Sequence, residues 1–286
     1  MPELWKEHGG NTEMPYHLHH IVGSAAATAG TLPLHYDKDV VVVYFRRGGG
    51  SARIEGQYYP IEEGDVILLN PRELHCFTFR EGEHERVVLY IREELLRNFY
   101  RPNPGFFKVF YDREPGKGNC IPAETAAENG IQELLERILR LNSDSSGWRD
   151  MLTVCRIVDL VAAIEKLQSS IPSVRQENIP ENSVVSEILH YINENFLNIS
   201  DTEQVAGYFF LERAYLCRTF KHAVGISLWN YVIMRRLVFS NDLIRSGVSI
   251  EEAAYRAGFQ NYSNFFRLYK KYFGITPSEF RRQQRT

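Results

Sequence analysis

Cysteine is scarce in this chain: Cys76, Cys120, Cys155 and Cys217 are scattered through 286 residues, with no CxxC pair and no histidine at metal-ligand spacing beside them. A disulfide scaffold and a cysteine-based zinc site are excluded as organising devices, and the four are read as reduced thiols. No apolar run approaches the roughly twenty residues of a membrane span, and Met1-Pro-Glu-Leu-Trp-Lys6 lacks a basic segment followed by an apolar one. A soluble, cytoplasmic protein without a membrane partner is expected. Excess positive charge is missing as well, the formal net charge being −3, which taken alone argues against nucleic acid. The deficit is uneven, however. From Ser183 onward 13 Lys and Arg face 9 Asp and Glu, a net of +4 that leaves −7 for the first 182 residues. Phosphate attraction would therefore be local to the C-terminal part, and so modest a charge needs help from base contacts or from dimerisation.

What is present is a repeat. Arg218-Thr-Phe-Lys-His-Ala-Val-Gly-Ile-Ser227 and Arg267-Leu-Tyr-Lys-Lys-Tyr-Phe-Gly-Ile-Thr276 share one pattern, Arg-x-aromatic-Lys-x-x-x-Gly-Ile-hydroxyl, and a repeated block usually means one supersecondary unit used twice. At about 100° per residue, Leu216 and Phe220, and likewise Phe265 and Tyr269, fall on one helix face as a core stripe requires. The opposite faces carry Ala214, Arg218 and Lys221 in one copy and Ser263, Arg267 and Lys270 in the other. Gly225 and Gly274 follow where helices commonly end in a left-handed residue.

Upstream of each block lies a shorter helix signal. Ser200-Asp-Thr-Glu203 and Ser249-Ile-Glu-Glu252 both place a capping residue ahead of an acid and lead to turns at Gly207 to Leu211 and at Gly258-Phe259. Helix, turn and basic helix form the helix-turn-helix layout, in which the second helix enters the major groove of double-stranded DNA. Two units are expected, at about 200–222 and 249–272, within a DNA-binding domain at 184–286. Between them Leu228 to Ser246 contains neither Pro nor Gly. As a helix it would be roughly 28 Å long, close to the roughly 34 Å between successive major-groove faces.

The run Ser249-Ile-Glu-Glu-Ala-Ala-x-x-x-Gly-Phe259, followed by Ser263-x-Phe-x-Arg-x-Tyr-Lys-Lys-x-Phe-Gly-Ile-Thr-Pro-Ser-Glu-Phe-Arg281, resembles the signature of the AraC/XylS family of bacterial transcription regulators. The resemblance covers roughly the last hundred residues. Three positions depart from it: Ala253 stands for Ile, Phe266 for a small polar residue, and Glu212 for a Ser cap. It implies a homodimeric regulator working with RNA polymerase. The expected base readers are Arg218 and Arg267, because a guanidinium can donate two hydrogen bonds to guanine. Arg213, Tyr215, Lys221, Asn261, Asn264, Lys270 and Lys271 are expected on phosphates or flanking bases, with Ala214, Tyr262 and Ser263 on the same faces.

The N-terminal part reads as strands. Val40 to Phe45, Ala52 to Ile54, Tyr58 to Ile61, Val66 to Leu69, Cys76 to Phe79 and Val87 to Ile91 follow closely with turn residues between, as in a barrel or jelly roll. Gly56 to His75 resembles the second half of a cupin motif and His35-Tyr-Asp37 the start of the first. The fold class expected is therefore α+β and multidomain: a cupin-like β-barrel at 1–115, a helical dimerisation region at 120–168, a linker at 169–183 and an all-α tandem helix-turn-helix domain. The family resemblance makes the barrel the sensor for a small-molecule effector such as a sugar, with His35, Tyr44, Arg53 and His75 as candidate contacts.

Asp37 occupies the second His position of the cupin pattern, and Val40 or a neighbour the Glu position. Two imidazoles make a poor divalent site, so neither metal nor other cofactor is expected, and no catalytic residue is assigned. Tyr16-His-Leu-His-His20 is expected to be a solvated N-terminal arm. Thr125 to Leu141 and Asp150 to Leu167 read as helices whose apolar faces are wide, and the polar, proline-bearing Ser169 to Ser183 as the linker. A cupin enzyme with a DNA-binding appendage, and a regulator whose barrel is only a dimer scaffold, are the alternatives.

Overall fold

The computed structural model describes residues 14–25, 34–37, 39–71, 73–92, 94–96, 108–111, 113, 115–143, 145–168 and 184–283. It divides into two compact units, Met1–Asn178 and Ile179–Thr286. The expected linker at 169–183 lies outside the described residues.

Among the described residues of the first unit, eight strands form two antiparallel sheets. Strands β1 (Tyr16–Ala25), β7 (Gly82–Ile91), β2 (Val40–Arg47), β5 (Val66–Leu69) and β8 (Cys120–Ile121) make a five-stranded sheet in that order; β4 (Gln57–Ile61), β3 (Gly50–Ile54) and β6 (His75–Phe79) make a three-stranded one. Side chains alternate between the two faces of a strand, and here both faces of β2 and β5 are buried. Val41, Val43, Phe45, Ile67, Leu69 and Val88 meet Ala52, Ile54, Tyr59, Ile61 and Phe77 of the opposite sheet in an inter-sheet core. The other face, with Val40, Val42, Tyr44, Leu68, Val87 and Leu89, packs under helices. Tyr16-His-Leu-His-His20 is no solvated arm: all five residues belong to β1, paired along β7 from Tyr16 opposite Ile91. The alternation that places His17 and His19 on one side belongs to a half-buried strand.

A short helix α1 (Lys108–Tyr111) precedes β8, and α2 (Ala123–Glu128), α3 (Ile131–Leu141) and α4 (Arg149–Gln168) follow it. The single helix expected from Thr125 to Leu141 is two, broken at Gly130, whose φ of 68° is left-handed. These helices do not form a region apart from the barrel. Cys120–Ile121 pairs with β5, and Ile131, Leu135 and Ile138 of α3 and Ile157, Leu160, Val161 and Ile164 of α4 are buried in one core with the sheet. The boundary near 115–120 therefore cuts through a shared core. Ion pairs reinforce the join: Arg46 on β2 reaches Glu136 on α3 at 2.6 Å and also pairs with Glu85 on β7, which meets His20 on β1 at 2.7 Å.

The second unit is all helical, with α5 (Val184–Asn195), α6 (Thr202–Tyr208), α7 (Arg213–Val224), α8 (Leu228–Arg245), α9 (Ile250–Arg256), α10 (Tyr262–Phe273) and α11 (Pro277–Gln283). Ser249 caps as the sequence signals, accepting from the Glu252 amide, while the first cap falls one residue later than Ser200, on Asp201, which accepts from the Gln204 amide. Gly225 and Gly274 close α7 and α10 at φ of 88° and 75°. The spacer helix α8 runs through the middle of the unit, with Tyr231, Val232, Met234, Leu237, Leu243 and Ile244 buried. Around its second half gather Ala253, Ala254, Phe259, Phe265, Leu268, Tyr269 and Phe280.

Arg236 on α8 is buried, which pushes its pKa down. Its guanidinium donates to the carbonyls of Phe196 (2.8 Å), Leu197 (3.3 Å) and Ile199 (2.6 Å) ahead of α6, and to that of Gly258 (3.0 Å) in the turn before α10. One side chain thus ties the loop ahead of the first helix-turn-helix unit to the turn of the second. Arg236→Met, which keeps the apolar stem, should cost at least about 1 to 3 kcal/mol, the range for buried acceptors left unsatisfied. Denaturant unfolding of the full-length protein checks this; a midpoint unchanged from wild type would show that the guanidinium joins nothing.

Candidate DNA-reading face and sensor interior

Helices α7 and α10 are built alike. In α7 Leu216, Phe220 and Val224 are buried; in α10 Phe265, Leu268 and Tyr269 are. This apolar stripe turns the remaining face outward by helical periodicity. Arg213, Ala214, Tyr215, Arg218 and Lys221 on α7 are all exposed, as are Asn261, Tyr262, Ser263, Asn264, Arg267, Lys270 and Lys271 at α10. All twelve candidate DNA-reading residues therefore lie at the surface of one unit, on the second helix of each helix-turn-helix.

Several of them have local partners. Arg267 donates to Asn264 Oδ1 at 2.9 Å, which fixes the guanidinium along the exposed face. Asn261 is the N-cap of α10, its side chain accepting from the Asn264 amide, and Arg213 donates to Thr202 Oγ1 on α6 at 2.9 Å. Glu212, which departs from the family's Ser, still caps α7. Its carboxylate accepts from the Ala214 and Tyr215 amides at 2.8 and 2.9 Å, and these bonds hold its pKa below the usual carboxylate range.

The two turns differ at one position. Leu211 donates back to the Ala206 carbonyl and Phe259 to the Ala254 carbonyl, so the turns superpose in pattern. The residue before each is left-handed, Phe210 at φ 53° and Gly258 at φ 84°. Around Gly258 a Cβ would come within 3.0 Å of Arg236 Nε and the Leu197 carbonyl, so only glycine fits. Phe210 meets no such wall and is 95% exposed. Sequence reasoning passed over both Phe210 and Arg236; Arg235, Asp242 and Arg245 stand on the same helix, so nothing in the sequence singles Arg236 out.

In the first unit the inter-sheet interior has polar groups at both ends. At one end His35 and His75 pair through backbone hydrogen bonds of 3.0 and 2.8 Å, and their rings lie 4.2 Å apart. His75 Nε2 faces Asp37 Oδ2 at 3.4 Å while Nδ1 meets the Glu73 carbonyl at 2.8 Å. Burial pushes the His75 pKa down, but Asp37 and then Glu73 together outweigh it and the net shift is upward. Tyr90, inward on β7, is pushed above the usual phenol range, first by burial and then by Asp37. At the other end β7 turns Arg86 and His84 inward, against Phe79.

Two of the four candidate effector contacts are thus brought together, and two are corrected. Tyr44 belongs to the face of the five-stranded sheet that lies under the helices. There burial, then Glu136 of α3, raises its pKa. Arg53 lies between inward Ala52 and Ile54 and so points away from the interior, toward Tyr58. Both are polar residues beside apolar ones, but strand parity places them off the inter-sheet face. Arg86 and Tyr90 were missed, although a charged residue in the period-2 run of β7 was a readable signal.

The atoms of His35, Asp37 and His75 that could bind a metal all lie within 4.8 Å of one another. Two imidazoles and one carboxylate fall short of the four donors of a closed zinc site but equal the three of an open one; here the carboxylate is turned to His75. No helix among the described residues is long and apolar enough to cross a membrane.

A family profile described as an AraC-like ligand binding domain matches residues 18–152, and one described as a helix-turn-helix domain matches residues 205–283. Among curated proteins, the chain is 24% identical over 259 residues to the HTH-type transcriptional activator RhaS of Escherichia fergusonii, covering 88% of each. It is 32% identical over 109 residues to the uncharacterized HTH-type transcriptional regulator YdiP of Escherichia coli strain K12, covering 38% of this chain and 36% of that protein. Among solved structures, ToxT from Vibrio cholerae aligns with 93% of this chain and 98% of its own at 15% identity and a TM-score of 0.41.

Arg267→Ala should weaken binding to a selected DNA site by about 1 to 3 kcal/mol and relax preference at one base pair. Lys271→Ala should lower affinity alike for all sequences and reduce the salt slope by about 1. Selection from a randomised pool tests the pair, and an unaltered consensus for the Arg267 variant would remove it from base readout.

Proposed function

The chain is a transcription regulator of the AraC/XylS family, and from that premise we propose how its parts divide the work. Helices α7 and α10 enter successive major grooves of one duplex, with Arg218 and Arg267 reading base edges. Arg213, Tyr215, Lys221, Asn261, Asn264, Lys270 and Lys271 hold phosphates or flanking bases. The observation that carries this reading is the outward placement of all twelve residues on two capped helices hung from one buried spacer. That spacer, 18 residues long, spans roughly 27 Å.

The first unit binds a small effector between its sheets, and the protein acts as a cytoplasmic homodimer that works with RNA polymerase. Support for the dimer comes from the start of α4, where Trp148, Met151 and Leu152 are 64%, 55% and 38% exposed on neighbouring turns. Binding of effector shifts the protein between two arrangements by differing in affinity for them. The protein is not an enzyme in this reading, and the His35, Asp37 and His75 group is a hydrogen-bonded polar cluster.

Met151→Glu with Leu152→Glu should convert a dimer to a monomer in sedimentation velocity and weaken operator binding roughly 10²-fold through lost avidity; a dimer that survives both charges would place the interface elsewhere. Elemental analysis of purified protein should find well under one equivalent of transition metal per chain. A stoichiometric ion removed only by chelation would favour the cupin-enzyme alternative.

A further inference from the structure

Arg86 is a buried cation that its protein surroundings leave uncompensated. On β7 it stands level with Ile21 of β1 and Phe45 of β2, facing the other sheet, and it is only 5% exposed. Its Cζ lies 4.4 Å from the Phe79 ring centroid, so the side chain crosses from the five-stranded sheet to the three-stranded one. Its Nη1 is buried with no hydrogen-bond partner. The acids that flank it on β7 point the opposite way. Glu83 pairs with Arg47, and Glu85 with Arg46 and His20. Among the described residues Arg86 makes no ion pair. Burial lowers its pKa to about 10, with Tyr90 opposing. Keeping an unpaired guanidinium away from water costs more than one ring contact returns, so a fold under selection for stability alone would replace it.

We propose that Arg86 anchors the effector, and that the effector is a small monoanion, a carboxylate on an apolar body, held at the Phe79 end of the inter-sheet interior. The inference rests on the reading of this unit as a sensor and narrows its ligand class. A guanidinium fork matches a carboxylate in two parallel hydrogen bonds. Ile21, Phe45 and Phe79 supply an apolar wall. His84 stacks on Phe79 at 5.0 Å, and its Nδ1 is likewise buried without a partner, which offers the ligand a second polar group. Burial, then Arg86, pushes the His84 pKa down. The imidazole is therefore neutral near pH 7 and the site carries a single positive charge, which one carboxylate balances and a phosphate dianion would overshoot. The His35, Asp37 and His75 cluster, at the far end, brings a carboxylate of its own and would repel such a group.

The test uses the full-length protein in thermal melts with acetate, butyrate or hexanoate, against the matching amides and sodium chloride at equal ionic strength. At saturating concentration at least one carboxylate should raise the melting temperature by about 2 to 4 °C, and its amide should not. Arg86→Met should melt no lower than wild type and lose the response, and Arg86→Lys should keep a weaker one. The proposal is overturned if no carboxylate stabilises, if amide or chloride does so equally, if Arg86→Met still responds, or if Arg86→Met melts lower. Operator binding measured on the same samples separates this inference from the reading beneath it. Intact DNA binding without a carboxylate response defeats the site alone, whereas a response in a protein that binds no operator defeats the regulator reading and leaves the site standing.

Discussion

The DNA-binding unit depends on one buried guanidinium. Arg236 is one of three buried polar residues on α8, with Ser240 and Asn241, and it donates to four loop carbonyls ahead of α6 and α10. Loop carbonyls at the end of α5 and in the turn before α10 have to be paired once buried. Doing it from the spacer makes the two helix-turn-helix units parts of one body, which a hydrophobic seam alone would not specify by direction. Tyr269 adds a second polar tie by donating to Asn241, also on α8. Presentation of α7 and α10 is therefore a property of α8, and the +4 charge of the region is spread over helices whose relation is fixed from inside.

In the first unit the governing constraint is strand parity. The five-stranded sheet is covered on both faces, by the second sheet and by α3 and α4. Each residue of β2 and β7 is therefore assigned to one of two cores by whether its number is odd or even. That assignment puts Tyr44 beneath helices and Arg86 between sheets, so that α3 and α4 are separated from the inter-sheet interior by one layer of strand. Any shift of the sheet is felt on both sides, because interiors packed to this density do not absorb displacement locally.

Much of the second unit was legible in the sequence. Capping residues, the buried i, i+4 aromatics and the closing glycines are local signals, and the helices formed where those signals stood, with Leu228–Arg245 as the spacer. The strands from Val40 to Ile91 were legible for the same reason, being short β-branched runs between turns. What the sequence did not disclose is set by partners far along the chain. The strand Tyr16–Ala25 exists because β7 offers it an edge. The two-residue strand Cys120–Ile121 follows from pairing with β5, whereas the break at Gly130 is a local left-handed glycine that the sequence did carry. The inward set of polar residues needs a register, and register is a tertiary fact: His35 and His75, 40 positions apart, meet only through their bridge.

The unequal turns carry a consequence for how such a protein can change. The second turn is walled in by the spacer, so its glycine has no permissible substitute and its neighbours are committed with it. The first turn opens to solvent and already tolerates a phenylalanine in a conformation that side chains disfavour. A side chain added at the distal turn would have to displace the spacer's guanidinium, whereas the proximal turn presents its ring to solvent at no cost to the core, so the two copies of one design differ in how closely each is bound to the interior.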